Sequence, residues 1–360
     1  MNLIGPYIDP ISVTQAIFLL EKSQPVAIPT ETVYGLAAPI KDSEAIRRVF
    51  ELKKRPFFDP LIVHIDSFAQ LFHVADPEQE LVPILKSLAD AFWPGPLTVV
   101  VRRREGLSPL ITAGLDTVAV RVPRHPTALH IIHEVGPLAA PSANLFGKTS
   151  PTRAEHVTDA FQGLVPVVDG GPCFVGIEST IVLCQKPATL QILRQGMIQQ
   201  KDIASHLQSK NFSVTWNSSI AYEGNAVLAP GTLKHHYMPQ SPLVVSSDPL
   251  PPEQVLQQIF QKYSHRGNIA LTSEPKENQQ NEIPVLSQID PHQIGYLELP
   301  LTDPTLCARL LYHEFHQKSK RYPLLFLYWP ASHTGGDWAP IWERITKAAT
   351  IRLGLFAQVT

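Results

Sequence analysis

The sequence predicts an α/β protein of two domains, and three observations carry that prediction. Short apolar runs of strand length alternate with capped, amphipathic segments of helical length. The 360 residues are 44% hydrophobic and 17% charged, which supplies apolar material for two cores and too little charge for a disordered chain. Residues 208–242 then break the alternation with Asn-Ser-Ser, Ala229-Pro230-Gly231 and Lys234-His235-His236-Tyr237-Met238-Pro239, before a second α/β pattern starts at Leu243. The expected organisation is a first domain over 1–207, a linker over 208–242 and a smaller domain over 243–360.

Asp9 as N-cap, with Pro10 at the first helical position, predicts a helix with Ile17 and Leu20 on its apolar side. Val26-Ala27-Ile28 predicts a short strand stopped by Pro29. Ser43 predicts the cap of a helix with Ile46, Val49 and Phe50 on one face, ending in Lys53-Lys54-Arg55 before Pro56. Strand-like runs follow at 61–65, 97–101, 117–122, 138–140, 165–168, 178–183 and 190–193. Thr152-Arg153-Ala154-Glu155 spells a capping box and predicts a helix start. Beyond the linker, strands at 243–245, 268–272 and 324–328 alternate with helices at 253–263, 305–319 and near 338–349, which predicts a small parallel sheet.

Lys and Arg number 30 against 32 Asp and Glu, and the pI is near 6.7, which argues against a protein that lives on bulk nucleic acid. The 34 prolines are spread among apolar segments and read as rigid turns. Cys173, Cys184 and Cys307 form no CxxC and no even framework, which suits a reducing compartment. The first Lys is Lys22, and no apolar stretch approaches the ~18 residues of a membrane span. A soluble, cytoplasmic chain with no membrane partner is expected.

Several motifs dissolve on inspection. Gly147-Lys148-Thr149 ends like a phosphate-binding Walker loop, but Ser142 stands where its first glycine belongs. His313 and His316, like His130 and His133, are three apart and read as helix-surface histidines rather than zinc ligands. Gly170-Gly171 lacks the dinucleotide fingerprint.

Other segments place polar chemistry where apolar strands end. Pro29-Thr30-Glu31-Thr32-Val33-Tyr34 follows a buried strand, where α/β sheets bind ligands, although either Thr serves equally as a helix cap. Lys53-Lys54-Arg55 complements a helix C-terminus and leads into the aromatic turn Pro56-Phe57-Phe58-Asp59-Pro60 and a strand bearing His64. Arg121 in a central-looking strand needs an anionic partner, from the protein or from a ligand. Ala140-Pro141-Ser142-Ala143-Asn144 is small enough to bring backbone N–H groups against a ligand, and Ile177-Glu178-Ser179-Thr180 opens another strand with hydroxyls. Together they suggest one polar, anion-binding cleft without a Ser/His/Asp or Cys/His covalent catalyst.

In this order, PTETVYGL, KKRPFFDPLIVHI, FWPGPLTVVV, TVAVRVPRHP, APSANLFGKTSPT and GIEST resemble the YrdC-like domain of L-threonylcarbamoyladenylate synthases, over roughly residues 10–207. Residues 229–239 resemble the linker of the two-domain version, which adds a Rossmann-like C-terminal domain. Two departures stand out. Trp338–Arg344 replaces an Asn-Asp-Arg-containing helix, and Asp59 stands where the family tends to carry an uncharged or basic residue.

The resemblance implies a twisted mixed sheet with a concave cleft. It also implies that L-threonine, bicarbonate or CO2, and ATP give threonylcarbamoyl-AMP and diphosphate, with Mg²⁺ accompanying the nucleotide. Downstream proteins then transfer the threonylcarbamoyl group to adenosine 37 of tRNA, giving t6A. By the same resemblance Lys53 and Arg55 are catalytic and bind ATP together with Asp59, Thr117, Ser142, Asn144, Ser150, Arg194 and Tyr237, the last as part of a lid. Thr32, His64, Arg121, Ala140 and Ser179 are implied for threonine, with Arg121 on its carboxylate. Two rivals are a double-stranded RNA or tRNA-binding module, which a weak tRNA contact would fit, and a carbamoyl-adenylate-forming enzyme.

Overall fold

The computed structural model describes residues 9–217, 230–231, 236–263 and 289–358. The chain divides into two compact units, Met1–Phe146 with Ser150–Leu233, and Gly147–Thr149 with Lys234–Thr360.

The strands of the first unit are β1 (Val26–Ile28), β2 (Gly35–Pro39), β3 (Ile62–His64), β4 (Leu97–Arg102), β5 (Thr117–Arg121), β6 (Leu138–Ala139), β7 (Thr180–Gln185), β8 (Thr189–Arg194) and β9 (Thr215–Trp216). They form one mixed sheet in the order β1-β2-β6-β3-β5-β4-β7-β8-β9. Its helices are α1 (Val13–Glu21), α2 (Ser43–Lys53), α3 (Leu71–Val74), α4 (Val82–Phe92), α5 (Pro109–Thr112), α6 (Pro126–Val135), α7 (Ala154–Phe161) and α8 (Gln200–Ser209).

Side-chain alternation along the strands gives the sheet two different faces. On one, Leu36, Val63, Val99, Val118, Val120 and Val182 meet Ile46, Val49 and Phe50 of α2 and Leu85 and Leu88 of α4. Burying each such side chain contributes roughly 1.5–3 kcal/mol. The other face is divided. Helices α1 and α6 cover its β1-β2-β6 part through Ala16, Leu20, Ala128, Ile131 and Ile132. The rest carries a small apolar patch of Ile62, Val100, Ala119, Ile181, Leu183 and Leu193. His64 and Arg121 are neighbours in the parallel β3–β5 pair and point to this same side, two residues along from Ile62 and Ala119.

Local signals settled several ends differently from expectation. Helix α1 is capped by Ser12, in a reciprocal box with Gln15, rather than by Asp9. Asp42, one residue before Ser43, caps α2. The capping box at Thr152 does not form, because His156 Nδ1 accepts the Thr152 N–H; α7 begins at Ala154 behind Arg153. The run 165–168 makes a single bridge, Ala27 to Val167, instead of a strand. Strand β2 runs where only a polar loop was expected.

The second unit contains β10 (Leu243–Ser246), α9 (Pro252–Tyr263), β11 (Ile294–Tyr296), α10 (Pro304–Ser319), β12 (Leu324–Tyr328), α11 (Ala339–Ala348) and β13 (Ile351–Leu353). Its sheet runs β11-β12-β10-β13 with every pairing parallel. Val244, Ile294, Leu324, Phe326 and Ile351 build its core with Val255 and Ile259 of α9. The expected strand at 268–272 lies outside the described residues. Residues 147–149 join this unit, where Lys148 bridges Met238 and the Thr149 N–H donates to Met238 O at 3.0 Å.

Candidate active site

The polar groups of the first unit form two buried groupings. The first is built around Arg121, at the C-terminal end of β5. Its Nε donates to Gly95 O at 3.2 Å and its Nη1 to Thr32 Oγ1 at 2.9 Å. Thr32 is held by the turn leaving β1: Thr30 Oγ1 accepts from the Thr32 and Val33 amides and lies 2.9 Å from Thr32 Oγ1. The anion that Arg121 requires is Glu31, fully buried, with Oε1 2.5 Å from Arg121 Nη2. Beside Arg121, His64 is buried, and its Nδ1 has no hydrogen-bond partner among the described residues. Ala140 packs against Gly35, where an added Cβ would lie 3.2 Å from the Ala140 Cβ, so this glycine lets β2 and the Ala140 segment approach.

Burial, reinforced by the Arg121 charge, holds the His64 pKa down to about 3, so its ring is neutral at physiological pH. The unfolded chain, with an imidazole near 6.5, takes up the proton first as pH falls. Stability from this group is therefore intact above about pH 6.5 and is lost as pH falls toward 3, at up to about 1.4 kcal/mol per unit. His64→Gln is expected to flatten the fall of the urea midpoint between about pH 6 and 4. Parallel slopes for variant and wild type would show that the folded imidazole is charged.

The second grouping lies around Lys53, Arg55 and Asp59. Thr117 opens β5, four residues or ~13 Å from Arg121 along the strand. Lys53, in the last turn of α2, is buried and donates to Ser142 O at 2.5 Å and Asn144 O at 2.6 Å, so it shapes the segment that carries both. Arg55 is equally enclosed. Its Nε donates to Asp59 O at 3.1 Å, its Nη2 to Pro60 O at 2.8 Å, and Nη2 sits 2.9 Å from Asp59 Oδ2. Burial pushes the Lys53 and Arg55 pKa values down and that of Asp59 up, while Lys53, Arg55 and Arg194 all pull Asp59 back toward its charged form. Asp59 is thus the counter-ion of a three-cation cluster.

Ser179 holds Arg194. Its Oγ lies 2.8 Å from Thr98 Oγ1 and accepts from Arg194 Nη2 at 3.1 Å, while Arg194 Nη1 donates to Pro230 O. Ser150 donates to Glu178 Oε1 at 2.6 Å. Tyr237 belongs to the second unit, buried there at φ +65°, stacked on Tyr312 at 5.8 Å and with the Arg344 guanidinium 5.3 Å from its ring centre. Of the residues singled out in the sequence, the first unit therefore brings Lys53, Ser142 and Asn144 together, Arg55, Asp59 and Arg194 together, and Thr32, His64 and Arg121 together. Tyr237 stands in the other unit. Sequence reasoning missed the buried acids Glu31 and Glu178 as holders of site side chains; the signal was a charge flanked by hydroxyls in otherwise apolar surroundings.

Comparison with known proteins sets this geometry in a family. A family model described as "Telomere recombination" matches residues 19–196, and one described as "Threonylcarbamoyl-AMP synthase, C-terminal domain" matches 198–350. Threonylcarbamoyl-AMP synthase of Bacillus subtilis is 40% identical over 273 residues, 74% of this chain and 75% of that relative. The chain belongs to the threonylcarbamoyl-AMP synthase family. The Pyrococcus abyssi synthase is 42% identical over 228 residues, 62% of this chain and 64% of its own length. The crystal structure of P. abyssi Sua5 complexed with L-threonine superposes with a TM-score of 0.73 at 30% identity, covering 96% of this chain and 98% of that one. The two-domain α/β architecture expected from the sequence is the one this superposition shares.

Proposed function

We propose that the chain catalyses the synthesis of threonylcarbamoyl-AMP from L-threonine, bicarbonate or CO2, and ATP, the first step of t6A formation in tRNA. The neutral threonine amine adds to CO2 and loses a proton, giving a carbamate. A carbamate oxygen attacks the α-phosphorus of ATP, and diphosphate leaves with the electron pair of the broken P–O bond. No covalent enzyme intermediate is needed, so catalysis rests on positioning and charge neutralisation.

The observation that carries this reading is the pair of buried polar groupings in the first unit, one around Arg121 and one around Arg55 and Asp59. Arg121, Thr32 and neutral His64 suit an amino-acid carboxylate and hydroxyl, and Ser179 and Ala140 are assigned to them on the resemblance. Lys53 and Arg55, with Arg194 electrostatically coupled to Arg55 and Asp59, suit a polyphosphate, and Ser142, Asn144, Thr117 and Ser150 are assigned to phosphate or ribose on the resemblance. The L-threonine bound to the P. abyssi relative supports the amino-acid half. Asp59 faces Arg55 and acts on the nucleotide through that guanidinium. Tyr237 is assigned to the nucleotide on the resemblance alone.

Because Asp59 is already paired with Arg55, it does not fit a resident metal ligand, and Mg²⁺ is assigned to the incoming ATP. When bound it would screen polyphosphate charge. We further assign the product to downstream proteins that transfer threonylcarbamoyl to tRNA, and the chain to the cytoplasm; no helix among the described residues is long and apolar enough to cross a membrane.

Diphosphate release by the purified protein is the direct test. It is expected to require L-threonine, bicarbonate and ATP together. Release without threonine, or none from a folded protein that binds ATP, would reject the proposal.

A further inference from the structure

We propose that Glu31 is a positioning residue, whose carboxylate aims the Arg121 guanidinium at the carboxylate of the amino-acid substrate. The inference rests on the assignment of Arg121 to that carboxylate. Glu31 has no exposed surface, and its two oxygens serve separate partners. Oε1 makes the ion pair with Arg121 Nη2, and Oε2 accepts the Arg124 backbone N–H at 2.9 Å. The Glu31 carbonyl also accepts from the Val175 N–H at 2.8 Å, so the acid is tied to the chain just beyond β5 and to the segment before β7.

Arg121 is gripped on three edges, by Gly95 O, Thr32 Oγ1 and Glu31. A guanidinium carries five N–H bonds; Nε and Nη1 each donate one to the protein and Nη2 is ion-paired with Glu31, which leaves N–H bonds on both terminal nitrogens to meet a carboxylate. A buried ion pair adds little net stability compared with apolar packing, so stability alone is a weak account of the pair. Orientation accounts for it better, because a guanidinium free to rotate would present its fork in many directions.

The choice of acid over amide follows from the two partners. Both are donors, and a carboxylate accepts at each end. Glutamine in the same place would set its NH2 against either the Arg124 N–H or the Arg121 guanidinium. Glu31→Gln is therefore nearly isosteric yet must break one of the two contacts.

The test titrates L-threonine and L-threoninol, the same molecule with its carboxylate reduced to an alcohol, into full-length wild type, Glu31→Gln and Glu31→Asp. ATP affinity and melting temperature are followed alongside. Wild type is expected to prefer L-threonine. Glu31→Gln is expected to weaken L-threonine about tenfold or more, with L-threoninol and ATP within about twofold, so that the preference collapses. Glu31→Asp keeps the buried charge while withdrawing it from Arg121; it carries the test if the Gln variant fails to fold, and a partial collapse is expected. Parallel weakening of both ligands would show a merely structural role and overturn the proposal, as would unchanged affinity for L-threonine. A wild type without preference between the two ligands would instead reject the assignment of Arg121 itself.

Discussion

Arg121→Ala is expected to lose threonine-dependent diphosphate release and to melt well below wild type. Both effects come from one guanidinium. Removing it leaves the Glu31 carboxylate enclosed without its cation, and breaking a buried pair from one side costs about 3–5 kcal/mol. Threonine loses its carboxylate contact in the same step, so its KM should rise ~10²-fold or more while that for ATP changes little. The two effects can be separated by the double replacement Glu31→Gln with Arg121→Met, which removes both buried charges. That variant should recover most of the melting temperature and none of the threonine affinity. A single Arg121→Ala variant with a near-wild-type KM for threonine would take Arg121 out of the amino-acid site.

The second large effect is expected at Arg55. Arg55→Ala should lower turnover by ~10²-fold or more, because a preorganised charge facing the polyphosphate disappears. Arg55→Lys is the sharper variant. An ammonium keeps the charge but lacks the planar fork that reaches Asp59 O, Pro60 O and the Asp59 carboxylate together. Recovery by Lys should therefore be partial, with the loss seen in kcat more than in threonine KM. Full activity of Arg55→Lys would mean that only net charge matters there, and near-wild-type turnover of Arg55→Ala would remove the residue from the site.

Much of this was legible in the sequence. The 3.6-residue spacing of Ile46, Val49 and Phe50 sufficed to place the buried face of α2, and the apolar run at 97–101 to place β4, because burial pattern alone decides those elements. Strand β2 was hidden. Gly-Leu-Ala-Ala-Pro has poor strand propensity, and its extended form comes from pairing with β1 on one side and β6 on the other. Ala119 and Arg121 lie on the side of β5 opposite its valines and are buried as well. Arg121 announced its need for an anion, whereas the identity of that anion, Glu31 some 90 residues earlier, depends on how the sheet is threaded. The capping box at Thr152 failed for a similar reason, since His156 competes for the amide that a cap would use.

The threading of the sheet also bears on when the site comes into existence. Strand β2 pairs with β6 about 100 residues later, Lys53 holds carbonyls 89 and 91 residues away, and Thr32 meets Arg121 across 89. Each contact closes a long loop, so the site is an end product of folding and not a seed for it. A nascent chain that has emerged only as far as β5 carries Lys53, Arg55 and Asp59 but lacks the Ser142 and Asn144 carbonyls that Lys53 holds. Substrates that recognise this arrangement cannot template it. Their stabilising effect should fall on the rate at which the native chain opens, leaving the rate at which it first assembles unchanged.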